Sequence, residues 1–253
     1  MRRWNSFTPT LTSSINHSKG GGYFLYFSCN NETRGIVIDP GYDFLENLLS
    51  AGYRIGDINA VLISHAHPDH TDSLPSILSL FHEANNRLGE YFHNHVSNKH
   101  ENFNKKHLKL ILSQGVFDQY YKGFIKPSYE SLEDVIVVKP KCASNPEVCY
   151  TDSFTYDDKT YSISIQAFPT RHGDLMKWES LGFIIKIEEQ GKQNGFVRKI
   201  GYTSDARWSD EFSNHFIECN TVCAHFGSII DILGGKNFSC LCRNYVPKNN
   251  MGN

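Results

Sequence analysis

The amino-acid sequence predicts a single α/β domain, residues 1–253, built as a four-layer α/β/β/α sandwich. Two observations support this fold class. Segments with strand patterns alternate with segments of helical spacing along the chain, and clusters of histidine and acidic residues stand where predicted strands stop. A chain of 253 residues is long enough to bury a full core as one domain.

Composition limits the classes of function. The net charge of −2 provides no overall positive field that would attract nucleic acid, although it does not exclude a local basic patch. The 7 cysteines are odd in number and form no regular framework, which favours reduced thiols in a cytoplasmic protein. No apolar run approaches the roughly 20 residues that span a bilayer, so no membrane partner is expected. Arg2 and Arg3 precede no apolar stretch of the secretory kind.

The first predicted elements form a hairpin followed by a helix. Residues 23–28 and 35–39 have strand patterns on either side of an Asn-Asn-Glu turn. The turn sequence Asp39-Pro-Gly then ends the second strand. Apolar residues at helical spacing follow at positions 44–49, and Gly52 ends that helix.

A dense cluster of possible metal ligands follows the next strand. Residues 58–64 form a short apolar run typical of a buried strand, and residues 72–81 have helical spacing. Between them stand three imidazoles and a carboxylate: His65, His67, Asp69 and His70. Any one of these histidines could be an ordinary hydrogen-bonded loop residue. Burying four such groups unpaired is costly, and their types suit zinc or a similar transition metal.

The pattern His-x-His-x-Asp-His, preceded by Gly-Ile-Val-Ile-Asp-Pro-Gly at residues 35–41, resembles the metallo-β-lactamase superfamily. The resemblance implies that Asp39 orients a ligating histidine through a hydrogen bond. A simple turn-forming aspartate is the alternative interpretation of that residue.

The middle of the chain is less specific. Residues 82–107 are polar and contain five histidines, including His93 and His95. A histidine-rich metal tract is one interpretation; we expect instead a mobile, solvated insertion that contributes no metal ligand, because no strand end positions these rings. Residues 108–112 and 134–139 have strand patterns, and residues 115–124 a short helical one.

The third part of the chain adds two more candidate ligands. Residues 154–156 and 161–168 predict a hairpin that ends near His172. The Ser-x-Gly-aromatic sequence at residues 180–183 resembles the context that follows the third metal motif in the ribonuclease Z and phosphodiesterase branch. Residues 183–187 and 197–202 then pair as strands, and Asp205 at the second strand end matches the bridging aspartate of the family. A helix N-cap is the alternative for Asp205.

The resemblance covers roughly residues 22–230 and weakens toward the C-terminal end. Residues 221–224 predict a strand that ends at His225, only 20 residues beyond Asp205, whereas the family closes its second metal site with a later histidine. Residues 234–253 carry no helix or strand pattern. We therefore expect an incomplete second half and an atypical tail, and His225 is an open candidate for the last ligand.

The resemblance implies two zinc sites. It assigns the first metal to His65, His67 and His172, and the second to Asp69, His70 and a bridging Asp205. Asp69 would also be catalytic, by orienting the attacking hydroxide or accepting its proton. Because the second site lacks a secure fourth protein ligand, we expect it to bind metal weakly.

The function implied is a zinc-dependent hydrolase that uses a metal-bound hydroxide, acting on a small-molecule or nucleic-acid phosphodiester rather than a β-lactam or thioester. The alternative is a non-catalytic or impaired scaffold or binding protein of the same fold. Di-iron redox chemistry is a third possibility, but that branch normally includes a flavin-binding domain, for which a chain of 253 residues is too short. The sequence specifies neither the substrate nor an oligomeric state.

Overall fold

The computed structural model describes residues 22–29, 32–95, 106–139, 147–156, 159–172, 180–191, 195–206 and 209–225. Within them, two five-stranded β-sheets pack face to face, and helices cover their outer faces. No helix in these ranges has both the length and the hydropathy needed to cross a membrane.

The first sheet has the strand order β1-β2-β3-β4-β5. A hairpin pairs β1 with β2 antiparallel, and the three later strands join in parallel. Branched apolar side chains fill both faces of β3, as expected for a parallel strand covered on both sides. The strands are β1 (Tyr23–Cys29), β2 (Glu32–Ile38), β3 (Ala60–Ile63), β4 (Leu108–Ser113) and β5 (Leu132–Val138).

Helices cover the outer face of the first sheet. They are α1 (Phe44–Ser50), the single turn α2 (Pro68–Thr71), α3 (Leu74–His95) and α4 (Gln114–Tyr120), which continues as a π turn (Tyr121–Ile125) and a 3-10 segment (Lys126–Ser131). The apolar stripe of α3 packs on this sheet and is buried almost completely; it comprises Leu74, Ile77, Leu78 and Phe81. Burial of one such side chain contributes about 1.5–3 kcal/mol, so this stripe anchors the helix that follows the histidine cluster.

Helix α3 is longer than the sequence pattern predicts. The stripe stops at Phe81, but the helix continues to His95, so residues 82–95 are helical and not part of a loop. Asn85 explains part of this extension: it is buried, its amide nitrogen donates to the Lys106 carbonyl at 2.9 Å, and its amide oxygen accepts from the Lys106 N–H at 3.1 Å. Residues 96–105 and the side chains of His93 and His95 lie outside the described part of the chain.

The second sheet has the order β10-β9-β8-β7-β6. Strands β6 to β9 run antiparallel to one another and β10 joins β9 in parallel. The sequence predicts most of this sheet, although β6 starts at Glu147, well before the strand predicted at residues 154–156. The strands are β6 (Glu147–Tyr156), β7 (Lys159–Pro169), β8 (Leu181–Glu189), β9 (Val197–Asp205) and β10 (Thr221–His225).

Two further cores complete the layers. Between the sheets, Ile36 and Leu62 of the first sheet meet Ile165, Phe183 and other apolar residues of the second. On the outer face of the second sheet, Phe212 and Phe216, in and just after the short helix α5 (Asp210–Asn214), pack on Phe168 and Ile184. The four-layer α/β/β/α prediction is confirmed. Among the described residues the fourth layer consists of α5 and the turn after it.

Candidate metal centre

Four strand ends meet at one edge of the sandwich. His65 follows β3 and Asp39 follows β2 in the first sheet, while His172 follows β7 and Asp205 ends β9 in the second. The two sheets face each other, so strand ends that are distant in sequence come together. Of the predicted ligands, His65, His172 and Asp205 lie at these strand ends, whereas Asp69 and His70 lie in the single helical turn Pro68–Thr71.

Three imidazoles form the first cluster. The Nδ1 atom of His67 lies 3.1 Å from Nε2 of His65 and 3.1 Å from Nε2 of His172. His65 is buried, His172 is half-buried and His67 is exposed. The cluster is therefore closed toward the core and open to solvent on the side of His67.

A second cluster adjoins the first and shares His65. One ligand atom from each of His65, His70 and Asp205 lies within 4.8 Å of the others. His70 Nε2 is 3.4 Å from Oδ2 of Asp69 and 3.5 Å from Oδ2 of Asp205. All six side chains predicted as ligands are thus brought together, in two groups that meet at His65.

The single turn α2 docks on the turn that follows β2. Pro68 starts α2, where its fixed φ favours a helix and its missing N–H costs nothing. Ser73 donates through Oγ to the Gly41 carbonyl at 2.7 Å and through its N–H to the Pro40 carbonyl at 2.9 Å. A Cβ atom at Gly41 would lie 1.7 Å from the Asp69 carbonyl oxygen. Close approach at Gly41 therefore sets the position of Asp69.

Asp39 is a buried carboxylate that accepts hydrogen bonds from both sheets. Ser64 donates to it through its backbone N–H and its hydroxyl, each at 2.6 Å. His70 donates through Nδ1 at 2.8 Å, and the Tyr202 hydroxyl donates from β9. With φ 48, Asp39 also makes the turn. Asp39 therefore makes the turn and also fixes the ring of His70, a predicted ligand.

A clamp at the start of β8 positions the strand end before His172. Thr170 donates through its N–H to the Ser180 carbonyl at 2.9 Å and through Oγ1 to the Ser180 hydroxyl at 2.7 Å. The N–H of Leu181 donates to the Ser64 carbonyl at 3.1 Å. These bonds join the chain just before His172 to the strand end that carries His65.

Burial and charge give the histidines different proton affinities. Burial lowers the pKa of His65 well below its usual value of 6.5, and the neighbouring His70 and His172 lower it further. Burial also lowers the pKa of His172. Burial opposes a charged His70 as well, but Asp39, Asp205 and Asp69 outweigh it and raise the pKa of His70 well above 6.5.

The donor set fits a divalent transition metal. Neutral imidazoles and carboxylates are the usual nitrogen and oxygen ligands of such ions. Tetrahedral zinc with ligands at about 2.0–2.1 Å separates neighbouring ligand atoms by about 3.3 Å. The nitrogen–nitrogen distances of 3.1 Å in the first cluster are close to this value. The hydrogen bond from His70 Nδ1 to Asp39 leaves Nε2 as the atom that faces the second cluster.

Sequence reasoning missed the hydroxyl groups behind the histidines. Ser64, Tyr202 and Ser204 stand at strand ends but belong to no spaced motif, so only their position beside His65 and Asp205 could have indicated them. Pairing of β10 with β9 brings the His225 backbone opposite that of Asp205. The His225 side chain lies outside the described part, so its candidacy as a ligand stays a prediction.

Comparison with known proteins agrees with the fold. Residues 23–127 match the family model described as the metallo-beta-lactamase superfamily. No curated protein sequence matches the chain.

Solved structures similar to this chain include the metallo-beta-lactamase fold protein YhfI from Bacillus subtilis, at 16% identity and TM-score 0.49, covering 85% of this chain and 67% of that one. The short form of human tRNase Z is 18% identical at TM-score 0.46, and the match covers 80% of this chain and 70% of that one. A long-form RNase Z from yeast is 13% identical at TM-score 0.50, and 84% of this chain matches 30% of that one. The segment that carries the histidine motif therefore matches the metallo-β-lactamase superfamily, and the two-sheet fold of the described residues agrees with that match.

Proposed function

We propose that the protein is a metal-dependent hydrolase that acts on phosphodiesters, with zinc as the metal. The superfamily generally consists of hydrolases, and its fold typically binds divalent metal ions. The observation that carries the proposal is the pair of donor clusters joined at His65. Such an arrangement suits two ions that share one reaction centre, and two-metal sites are common in phosphatases and nucleases.

The proposed ligand sets follow the two clusters. His65, His67 and His172 would hold the first ion, while His70, Asp69 and a bridging Asp205 would hold the second. Bound ions of this kind lower the pKa of water and stabilise the negative charge that develops on a phosphoryl oxygen. The protein's own task is to hold these donors in place and to leave the exposed side of His67 accessible to substrate.

Asp69 is the proposed catalytic residue. Its carboxylate is nearly buried and its Oδ2 lies 3.4 Å from His70 Nε2, at the junction of α2 with the second cluster. A carboxylate in this place can accept a proton from the attacking water and orient that water toward phosphorus. The bonds that hold α2 to the turn after β2 keep Asp69 in position.

A phosphodiester is the preferred substrate class because the segment after His172 resembles the ribonuclease Z and phosphodiesterase branch. The likeness to a long-form RNase Z from yeast is a likeness of fold and gives RNA as the first polymer to test. A small-molecule diester is the other candidate. The proposal also includes that the protein is cytoplasmic and that its cysteines are reduced thiols.

Hydrolysis of bis(p-nitrophenyl) phosphate by metal-free and zinc-loaded protein tests the proposal, with a structured RNA as second substrate. We expect turnover only with metal. Asp69→Asn should lower kcat by about 10²–10⁴-fold, the range for loss of an acid–base group. Asp118→Asn, which alters an exposed carboxylate on α4, is the matched control and should keep wild-type turnover.

A non-catalytic, metal-binding scaffold is the second candidate. The small fourth layer among the described residues, α5 and its following turn, favours it. Protein that binds metal at the first cluster yet hydrolyses neither the diester, the RNA, a β-lactam nor a thioester would support this candidate and contradict the hydrolase.

A further inference from the structure

We propose that Tyr202 and Ser204 of β9 are positioning residues that fix the metal-binding faces of His70 and His65. The two hydroxyls reach across from the second sheet to groups at the strand ends of the first. The inference rests on the proposed metal sites but not on the proposed hydrolysis. It gives β9 a task beyond carrying Asp205.

The first arm runs from Tyr202 through Asp39 to His70. Tyr202 is fully buried and its hydroxyl donates to the Asp39 carboxylate, to which His70 Nδ1 also donates at 2.8 Å. Because Asp39 is held by this phenol and by two donors from Ser64, it offers His70 a fixed acceptor. The His70 ring is then locked with Nε2 toward the second cluster.

The second arm runs from Ser204 through Ser64 to His65. The Ser204 hydroxyl donates to Ser64 Oγ at 2.7 Å, and Ser64 Oγ donates in turn to Asp39 at 2.6 Å. The Ser64 proton is therefore committed to the carboxylate, and its oxygen can only accept from His65 Nδ1, 3.0 Å away. This order places the His65 proton on Nδ1 and leaves Nε2 as a lone-pair donor toward the clusters.

The backbone of Ser204 supports a role for its hydroxyl. Ser204 has φ 54, a left-handed conformation that costs a non-glycine residue about 1–2 kcal/mol. Glycine would adopt the same φ without that cost. The strain brings a buried hydroxyl within 2.7 Å of Ser64 Oγ and 3.4 Å of His65 Nδ1.

The two arms predict different patterns of metal loss. Tyr202→Phe should weaken cobalt(II) binding at the second cluster by about 10-fold to 100-fold and leave the first cluster nearly unchanged. Ser204→Ala should weaken the first cluster, because His65 is a ligand of the first ion there and its one free nitrogen, Nε2, binds a single ion. Titration of metal-free protein with cobalt(II), followed through its visible absorption bands, measures affinity and ligand geometry together.

Ser204→Gly separates positioning from backbone strain. It removes the hydroxyl and also relieves the cost of φ 54, so it should unfold at higher urea concentration than Ser204→Ala while binding metal equally weakly. Ser204→Gly with wild-type affinity would overturn the Ser204 arm. Wild-type affinity at the second cluster in Tyr202→Phe would overturn the Tyr202 arm.

Nitrogen-15 spectra of the metal-free protein test the arrangement independently of metal binding. We expect wild-type His65 to carry its proton on Nδ1 and Ser204→Ala to give a mixture of tautomers. A wild-type His65 protonated on Nε2 would also contradict the inference. If this signature is present but no metal binds, the proposed metal sites are wrong rather than the hydroxyl network.

Two matched controls keep stability apart from positioning. Tyr150→Phe removes a buried phenol that donates to Asp152 at 3.1 Å in the same inter-sheet core. Ser113→Ala removes a buried hydroxyl that caps α4 at the end of β4. Both should lose stability and keep wild-type cobalt(II) affinity and spectra; equal losses of affinity in the controls would overturn the proposal.

Discussion

The Nε2 atom of His172 lies 3.1 Å from Nδ1 of His67, although the two residues are 105 positions apart. One ring follows a strand of the second sheet and the other belongs to the loop after a strand of the first. The first cluster therefore exists only when the two sheets are packed together. Metal binding at this cluster should favour the packed sandwich over separated sheets.

Zinc titration of the metal-free protein should show one tight and one much weaker step. His172→Ala should weaken the tight step by at least about 100-fold, because loss of a direct ligand exceeds the 10–100-fold cost of losing its supporting group. Equilibrium dialysis with elemental analysis measures both steps.

His95→Ala is the control for this titration, since His93 and His95 are expected to lie outside the metal set. Two equally tight steps in the wild type, with the second abolished by His225→Ala, would instead make His225 the last ligand of a complete second site.

The strands and their burial follow closely from the sequence. Short apolar runs such as residues 58–64 and 183–187 can be stable only when both faces are covered, which determines the two-sheet core. Helix α3 was predicted too short because its apolar stripe stops at Phe81. The tertiary bond between Asn85 and Lys106, which leaves no periodic signal in the sequence, accompanies the longer helix.

The sequence predicted which candidate ligands the structure brings together, but not the hydrogen-bond network behind them. His65, His67, Asp69 and His70 are recognised because four metal-binding side chains occur in six residues. Serine, threonine and tyrosine are common at strand ends for many reasons, so their hydroxyls give no comparable signal. Their partners depend on which strand ends meet, and that is decided by packing of the two sheets.

Gly41→Ala should destabilise the protein by about 1–3 kcal/mol or more, the usual cost of overpacking. The new methyl group would lie 1.7 Å from the backbone oxygen of Asp69, so α2 or the turn after β2 has to shift. Urea unfolding measures the loss, and the second zinc step should weaken with it. Gly123→Ala is the matched control, because a Cβ there meets nothing within 4 Å; equal stability of the two variants would contradict the expectation.

Thr170→Val should loosen the chain just before His172. It removes a hydroxyl that donates to the buried Ser180 hydroxyl at 2.7 Å, and loss of such a bond costs about 1–3 kcal/mol. We expect lower stability and a weaker tight zinc step, while the second step stays unchanged. Thr160→Val, at the exposed far end of the same strand, should change neither. A Thr170→Val protein that is less stable but binds zinc normally would show that the clamp does not position His172.

Zinc binding at the second cluster should release about one proton at neutral pH, because a histidine must be deprotonated to bind metal. Nearby carboxylates raise the pKa of His70 well above 6.5, so the metal-free protein holds this proton at pH 7. His65 and His172, whose pKa values are lowered, are already neutral there. Below the raised pKa of His70, zinc and the proton compete, and affinity should rise about tenfold per pH unit until that pKa is passed.

Calorimetric titration in two buffers of different ionisation enthalpy counts the protons released in each step. His82→Gln, which alters a half-buried histidine on α3 outside the clusters, should give the wild-type count. Asp39→Asn should reduce the protons released in the second step, since Asp39 is the largest charge that favours protonated His70. A second step with no proton release and no dependence on pH between 6 and 8 would mean that His70 is neutral before the metal arrives, contrary to the charge balance around it.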